Sequence, residues 1–420
     1  MRGHLLLRQL GLAVALAFGG VGAVGAQALV SDYVRALRHD PSYAAARASS
    51  ESSRLQARLA SMAYFPEGRI SSTQLDNEKS GRFTVSVSQP LISYDRWLAL
   101  KEADPRLAGA AARLEQSQYE LAQRVYGAVS GLTEAREKLR LNDAATRAIS
   151  AQVQSARRAF ELGQGTITDV HDAELRLAQN RSEAFSLKAG LAAAERQYDA
   201  VMGERPAPAS YALTQQPVAL NLPPLDDFLA RARTRNPGIR ASQQATILAE
   251  LAVKRARASL FPTLAAVAQQ SRIRGGDATS SATISLRMEV PLQAGTYFRS
   301  DAAVLELQQA QAKEREVLQK VNLDVERLYT QLQAVVGELD VRREAIRAAK
   351  LSLEANEQSF KGGFRTRVDV LNAIRAQFQA EADSVTALLR FGEVLLGIQL
   401  AGAVEVDLAL RQVQQQVFAP

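Results

Sequence analysis

Cysteine is absent from the 420-residue chain. That excludes disulfides, thiolate metal sites, a cysteine nucleophile and a lipidated N-terminal cysteine. Histidine is scarce, and His4, His39 and His171 do not cluster, so no metal site is expected from them. No nucleophile–base pair, metal cluster or phosphate-binding loop stands out, and Ser and Asp are scattered along helical patterns. Neither enzymatic activity nor a cofactor is therefore expected. The formal net charge is +7, and losing Arg2 and Arg8 would lower it by two to +5. Lys and Arg are not interleaved with aromatics, so nucleic acid is not an expected partner. Beyond the N-terminus no run of about eighteen apolar residues occurs, and no transmembrane helix is expected.

The residues that abound are Ala, Leu, Gln, Arg and Glu, a usage that favours long helices with small contact residues. The N-terminus reads as a secretory signal. Arg2 and Arg8 supply the positive region, residues 10–24 the apolar run, and cleavage is expected after Ala26 or Ala28. A membrane anchor is the alternative, but the run is short and ends in small residues.

An internal repeat organises the rest. Leu29, Asp40-Pro41 and Tyr64-Phe65-Pro66 recur 196 residues later as Leu225, Asn236-Pro237 and Leu260-Phe261-Pro262. Phe160, Gly163, Thr166, Asp169, Val170 and Ala173 recur 200 residues later as Phe360, Gly363, Thr366, Asp369, Val370 and Ala373. The change of offset predicts a longer turn between the two strands of the second copy. Each copy reads as helix, two strands, very long helix, turn, helix. The first helix is expected over 29–64 and 225–260, ended by Pro66 and Pro262.

Strands are expected over 68–75 and 82–92, then over 263–273 and 282–292. Phe83, Val85 and Val87 alternate with Thr84, Ser86 and Ser88, and Ile284, Leu286, Met288 and Val290 alternate with Ser285, Arg287 and Glu289. About ten residues suffice for a tilted strand to cross a bilayer. A soluble hairpin has the same pattern, and aromatics sharpen the reading. Phe65, Tyr94, Trp97, Phe261, Tyr297 and Phe298 gather at the helix-side ends of the strands, where an interfacial belt would lie. Core aromatics at a helix–strand junction are the alternative. Pro90 and Pro291 fit strand ends, since proline donates nothing to a ladder.

A heptad runs through the long helices. Leu107, Leu114, Leu121, Ala128, Ala135, Asn142, Ile149 and Ala156 share one register, and Leu318, Val325, Leu332, Leu339, Ile346, Leu353 and Phe360 another. A strict seven-residue period winds helices into a left-handed supercoil. The seam includes Gln118, Asn142, Arg342 and Asn356, poor for a dimeric zipper, while its alanines suit helices packed side by side around a wide ring. Two hairpins give four strands, which cannot enclose a barrel, and open edges are not tolerated in lipid. Three copies would supply twelve strands.

With these residues in place, the chain resembles the TolC-like outer-membrane efflux and secretion family over its mature length. The duplicated Phe160-x-x-Gly163-x-x-Thr166-x-x-Asp169 and Phe360-x-x-Gly363-x-Arg365-Thr366-x-x-Asp369 motifs carry the resemblance. It implies a mainly α fold with membrane β structure: a coiled-coil α-barrel of long helices joined to a β-barrel, both completed by a homotrimer. It implies a channel-tunnel in the outer membrane of a Gram-negative bacterium, with a long periplasmic extension and outer-membrane lipid around its strands. Its partners would be a periplasmic adaptor (membrane fusion) protein and an inner-membrane ABC or proton-driven transporter. The expected division is a signal over 1–26, one repeat over 27–202 with its hairpin at 66–92, an equatorial linker over 203–224, a second repeat over 225–400 with its hairpin at 262–292, and an equatorial tail over 401–420.

At the tips, Gly163 and Gly363 can end helices in the left-handed conformation, and Thr166 and Thr366 can cap the next, with Asp169 and Asp369 at capping-box spacing. Gly165 belongs to the same turn. By resemblance, Arg365 matches the arginine that pins the closed tip, Thr168 and Asp169 match its partners, and Asp369 matches an acidic constriction ring. Phe360 replaces a family tyrosine and so lacks its hydroxyl. Asn372 stands where the family can carry a second acidic ring, while Asp172 is acidic in the first copy. His171 reads as an exposed bystander.

The leading functional reading is an export duct, for type I protein secretion or for multidrug efflux. The Asp40-Pro41 opening and the missing lipidation cysteine resemble the secretion branch. A structural or adhesive surface coiled coil is the competing class, and it leaves the two matched hairpins unexplained. The resemblance predicts that Arg365→Ser raises channel conductance in planar bilayers; unchanged conductance removes Arg365 from the gate.

Overall fold

The computed structural model describes residues 28–74, 81–206, 211–214, 223–258, 260–274, 279–290 and 295–419. The signal segment, the hairpin tips at 75–80 and 275–278, and Pro291 lie outside them.

The chain opens with α1 (Ala28–His39) and α2 (Pro41–Ser61). The single helix expected over 29–64 is thus broken, and so is its counterpart over 225–260. The cause is local. Asp40 caps α2, its carboxylate accepting the Tyr43 N–H at 2.7 Å, and Pro41 takes the first helical position, where a missing N–H costs nothing. Arg124 adds a 2.9 Å bond to the same carboxylate.

The hairpin β1 (Glu67–Gln74) and β2 (Gly81–Ile92) follows, then α3 (Tyr94–Lys101), α4 (Ala103–Glu161) and α5 (Ile167–Met202). The second copy comprises α6 (Leu225–Arg235), α7 (Pro237–Ala258), β3 (Thr263–Arg274), β4 (Ser280–Glu289), α8 (Thr296–Lys361) and α9 (Arg367–Ala401), with α10 (Val406–Val417) last. Asn236 repeats the role of Asp40, accepting the Gly238 N–H at 2.9 Å ahead of α7.

The four strands form one antiparallel sheet in the order β1-β2-β3-β4. Its central ladder joins the two copies, from Gly81↔Arg274 to Ile92↔Leu264, with a register shift between Pro90 and Ile92. Strand β3 has 12 residues where β1 has 8. The two turns, and with them the longer second turn expected from the sequence, lie outside the described residues. The central strand β3 has a ladder partner on each side along that length, whereas β1 has one.

At about 1.5 Å per residue, the 59 residues of α4 and 66 of α8 span roughly 90 and 100 Å. Helix α4 pairs with α5 and α8 with α9, and α9 also packs on α4. Heptad residues Leu121, Val125, Ala128 and Leu132 are buried, as are Val325, Leu332 and Leu339. The largest core lies at mid-length, where α1, α6 and α10 cover the long helices and Tyr126 donates to the Leu389 carbonyl at 2.7 Å. Helix α9 is long and apolar enough to cross a membrane, but its apolar window is 67% buried in the protein. Residues 211–214 pair with the C-terminal end: Thr214 N–H bonds Val417 O at 3.0 Å and Ala419 N–H bonds Ala212 O at 2.8 Å. The buried Asp32 accepts from the Tyr198 and Tyr211 hydroxyls at 2.7 and 2.6 Å and from Arg35, tying that segment to α1 and α5.

Removing the Asp40 cap should cost about 1 kcal/mol. Asp40→Ala is expected to lower the thermal midpoint followed by circular dichroism, and Asp40→Asn, which keeps a capping oxygen, to lower it less.

Candidate functional site

The registers sort the sheet into two faces. Ile70 faces Val85, Val85 faces Gln270, Val87 faces Ala268, and Ala268 faces Ile284. Leu264 faces Met288, and Ala266 faces Leu286. One face thus carries Ile70, Phe83, Val85, Val87, Leu264, Ile284, Leu286 and Met288, with Gln270 and Arg272 opposite Val85 and Phe83 towards the hairpin tips. The opposite face carries Arg69, Ser71, Thr84, Ser86, Gln269, Ser271, Thr283 and Ser285, and there Thr84 and Ser271 hydroxyls meet at 3.5 Å. The apolar side chains are open to the surroundings, with Ile284 89% exposed. Among the described residues, the outer edges of β1 and β4 have no ladder partner.

Aromatics collect where sheet meets helices. Tyr94 stacks on Trp97 at 5.6 Å and meets the Phe261 edge at 5.6 Å, and Lys101 lies over Trp97 at 5.4 Å. Phe65 and Phe298 are exposed beside them. Tyr297 is the second residue of α8, and its side chain lies outside the described residues. Ion pairs fix this junction. Arg255 of α7 grips Asp95 at 2.9 Å and the buried Glu102 at 3.2 Å, and Arg96 bonds Glu67 at 2.6 Å.

At the far ends of the long helices, two turns are built alike. Gly163 and Gly363 have φ of 71° and 79°, where a Cβ would be strained. Gln164 N–H reaches Ala159 O at 2.8 Å and Phe364 N–H reaches Ser359 O at 2.9 Å, closing a Schellman motif in each. The Thr166 hydroxyl accepts the Asp169 N–H at 3.1 Å while the Asp169 carboxylate accepts the Thr166 N–H at 3.2 Å. Thr366 and Asp369 repeat this at 3.3 and 2.9 Å. Bonds from the Thr366 main chain and hydroxyl, with Arg365 nearby, hold the Asp369 carboxyl below the ordinary carboxylate range. At Gly165 a Cβ would come within 3.1 Å of the Ala159 Cβ.

The turns share a small apolar core of Ile149, Val153, Ala156, Val170, Val370, Leu371 and Ile374. Arg365 is exposed and pairs with Asp369 in its own turn at 3.9 Å. Thr168 is exposed and Asp172 half-buried. Asn372 accepts from Arg176 at 3.4 Å, a bond between the copies. His171 is exposed, 3.6 Å from Glu174. The sequence reading passed over Arg367. It is buried, 4.7 Å from the Phe360 ring, and donates to the Gln152 side chain at 3.2 Å. Burial pulls its guanidinium pKa down and Asp169 pulls it up. Among the described residues no group of His, Asp and Glu could hold a metal.

The sequence profile described as "Outer membrane efflux protein" matches residues 33–204 and 228–393. The chain belongs to the outer membrane efflux protein family. Its relatives include outer membrane efflux protein BepC of Brucella suis, 31% identical over 57% of this chain and 55% of BepC. This chain thus spans about half of BepC. Alkaline protease secretion protein AprF of Pseudomonas aeruginosa is 23% identical, covering 84% of this chain and 79% of AprF. Among solved structures, VceC from Vibrio cholerae superimposes with a TM-score of 0.75 at 18% identity, over 90% of this chain and 96% of VceC. CusC gives 0.77 at 16% identity, over 90% and 92%. At such identities the likeness concerns the fold.

A member of this family resides in the outer membrane, and lipid is the solvent that suits the apolar sheet face. Phe65, Tyr94, Trp97, Phe261 and Phe298 are all exposed. A charge at mid-membrane on the lipid face costs about 2–4 kcal/mol. Ile284→Arg should therefore reduce the yield of heat-modifiable, membrane-extracted protein, while its neighbour Ser285→Arg, on the polar face, should leave it near wild type.

Proposed function

We propose that three copies of this chain form an outer-membrane channel-tunnel that exports substrates handed over from an inner-membrane transporter. The observation that carries this reading is a four-stranded sheet with one apolar face and two unpaired edges. In hydrocarbon each unpaired N–H and C=O costs several kcal/mol, so β1 of one copy must pair with β4 of the next. Three sheets make about twelve strands, enough for a cylinder with the polar face inward.

The helices fit the same assembly. Leu175 and Phe185 of α5 and Leu305, Leu323, Val341 and Leu351 of α8 are exposed in the single chain. These flanks would be covered by neighbouring copies, prolonging the cylinder as a helical pipe of roughly 90–100 Å. The tips at Gly163 and Gly363 then form the entrance, with Thr168, Asp169, Asp172, Phe360, Arg365, Asp369 and Asn372 around the constriction. A periplasmic adaptor would dock on these turns, and the segments 203–224 and 401–420 would girdle the pipe at mid-length.

Type I protein secretion is the favoured role. AprF and PrtF, two relatives named for protease secretion, align over 79% and 71% of their own lengths. Small-molecule efflux is the second reading, favoured by the higher identity to BepC.

Deleting the gene and assaying secreted proteins together with drug susceptibility separates the two. Loss of a secreted protein with unchanged susceptibility is the expected result; increased susceptibility with intact secretion would reverse the preference. Purified protein should behave as a trimer, and a water-soluble monomer would end the channel reading.

A further inference from the structure

Arg367 is the first residue of α9, directly after the Thr366 cap. It is 5% exposed in the single chain, and assembly can only cover it further. The position is unfavourable for a cation. It lies at the positive end of the helix dipole, and burial strips the guanidinium of water. Among the described residues no carboxylate bonds it. Its Nη1 donates to the Gln152 main-chain oxygen at 3.4 Å and to the Gln152 Oε1 at 3.2 Å, both on α4. The guanidinium centre lies 4.7 Å from the ring centroid of Phe360, at the end of α8. Its buried Nε has no hydrogen-bond partner among the described residues. Asp169, capping α5, is the carboxylate that acts on it through space.

An apolar side chain of similar size would satisfy this niche at less cost. What arginine adds is a tie between both helical hairpins, made at one point by a ring, a main-chain oxygen and a side-chain amide. We propose that Arg367 is a positioning residue for the entrance: a latch inside each protomer that holds the α8–α9 hairpin against α4 while the tip is closed. The hydroxyl that Phe360 lacks is thereby replaced by a cation held over its ring. The same unfavourable burial makes the latch releasable. When the hairpins part, the guanidinium regains water and can turn to Asp169, so the two arrangements differ little in free energy. Arg365, exposed and paired within its own turn, is a separate element.

This inference rests on the reading of the turns as the entrance of a channel, and the test separates the two. Full-length Arg367→Met, purified as trimers, is compared with wild type in planar bilayers and in thermal melts. The expected result is a severalfold rise in conductance with trimer stability equal to or above wild type. Gln152→Leu, which leaves the main-chain acceptor in place, should give a smaller rise and decides the matter if Arg367→Met fails to assemble. Wild-type conductance in stable Arg367→Met trimers overturns the latch and leaves the channel standing. So does a rise that appears only together with lost trimer stability, since that marks general loosening. A wild-type protein that forms no pores overturns the channel and the latch together.

Discussion

Backbone hydrogen bonding at the two outer edges of the sheet governs the rest of this molecule. In water an unpaired edge strand is tolerable, because solvent supplies donors and acceptors. In hydrocarbon it is not, and the apolar side chains of β2 and β4 commit this sheet to hydrocarbon. The protomer is therefore incomplete in a definite sense. In the proposed trimer its missing partners would be the same edges on other copies, and a closed ring would satisfy it where an open stack would not.

The duplication extends that logic to the helices. Each copy sends one long helix away from the membrane and returns through a second, and the turn between them is stapled by the same Schellman bond and capping box. Identical local chemistry at both turns makes the differences between them informative. The first turn has Gly165 where the second has Arg365, and only the second presents Phe364, 87% exposed. The entrance of the pipe would thus alternate between small and bulky tips around its rim.

Much of this was legible in the sequence, for physical reasons. The turns are determined by residues within three positions of one another, so Gly163, Thr166 and Asp169 announce their roles directly. Period-two patterning showed which side chains share a sheet face, since alternate residues along a strand point to the same side. The single helices expected over 29–64 and 225–260 were too long, because Asp40-Pro41 and Asn236-Pro237 combine a cap with a first-turn proline. That signal was present in the sequence and marks a helix start, not only a repeat boundary. The packing of Arg367 was beyond local reading. Arg367 meets its partner 215 positions away, and no periodicity encodes such an encounter.

The central ladder, between β2 and β3, bears on how the protein is made. Its partners Gly81 and Arg274 lie in different copies, about one full repeat apart. Synthesis and translocation proceed from the N-terminus, so the first hairpin emerges long before the strand that must flank it. Contacts so distant form slowly, and during that interval an apolar hairpin stands exposed to aggregation. The topology thus leaves the early hairpin without its flanking strand until the second copy has followed it across the inner membrane.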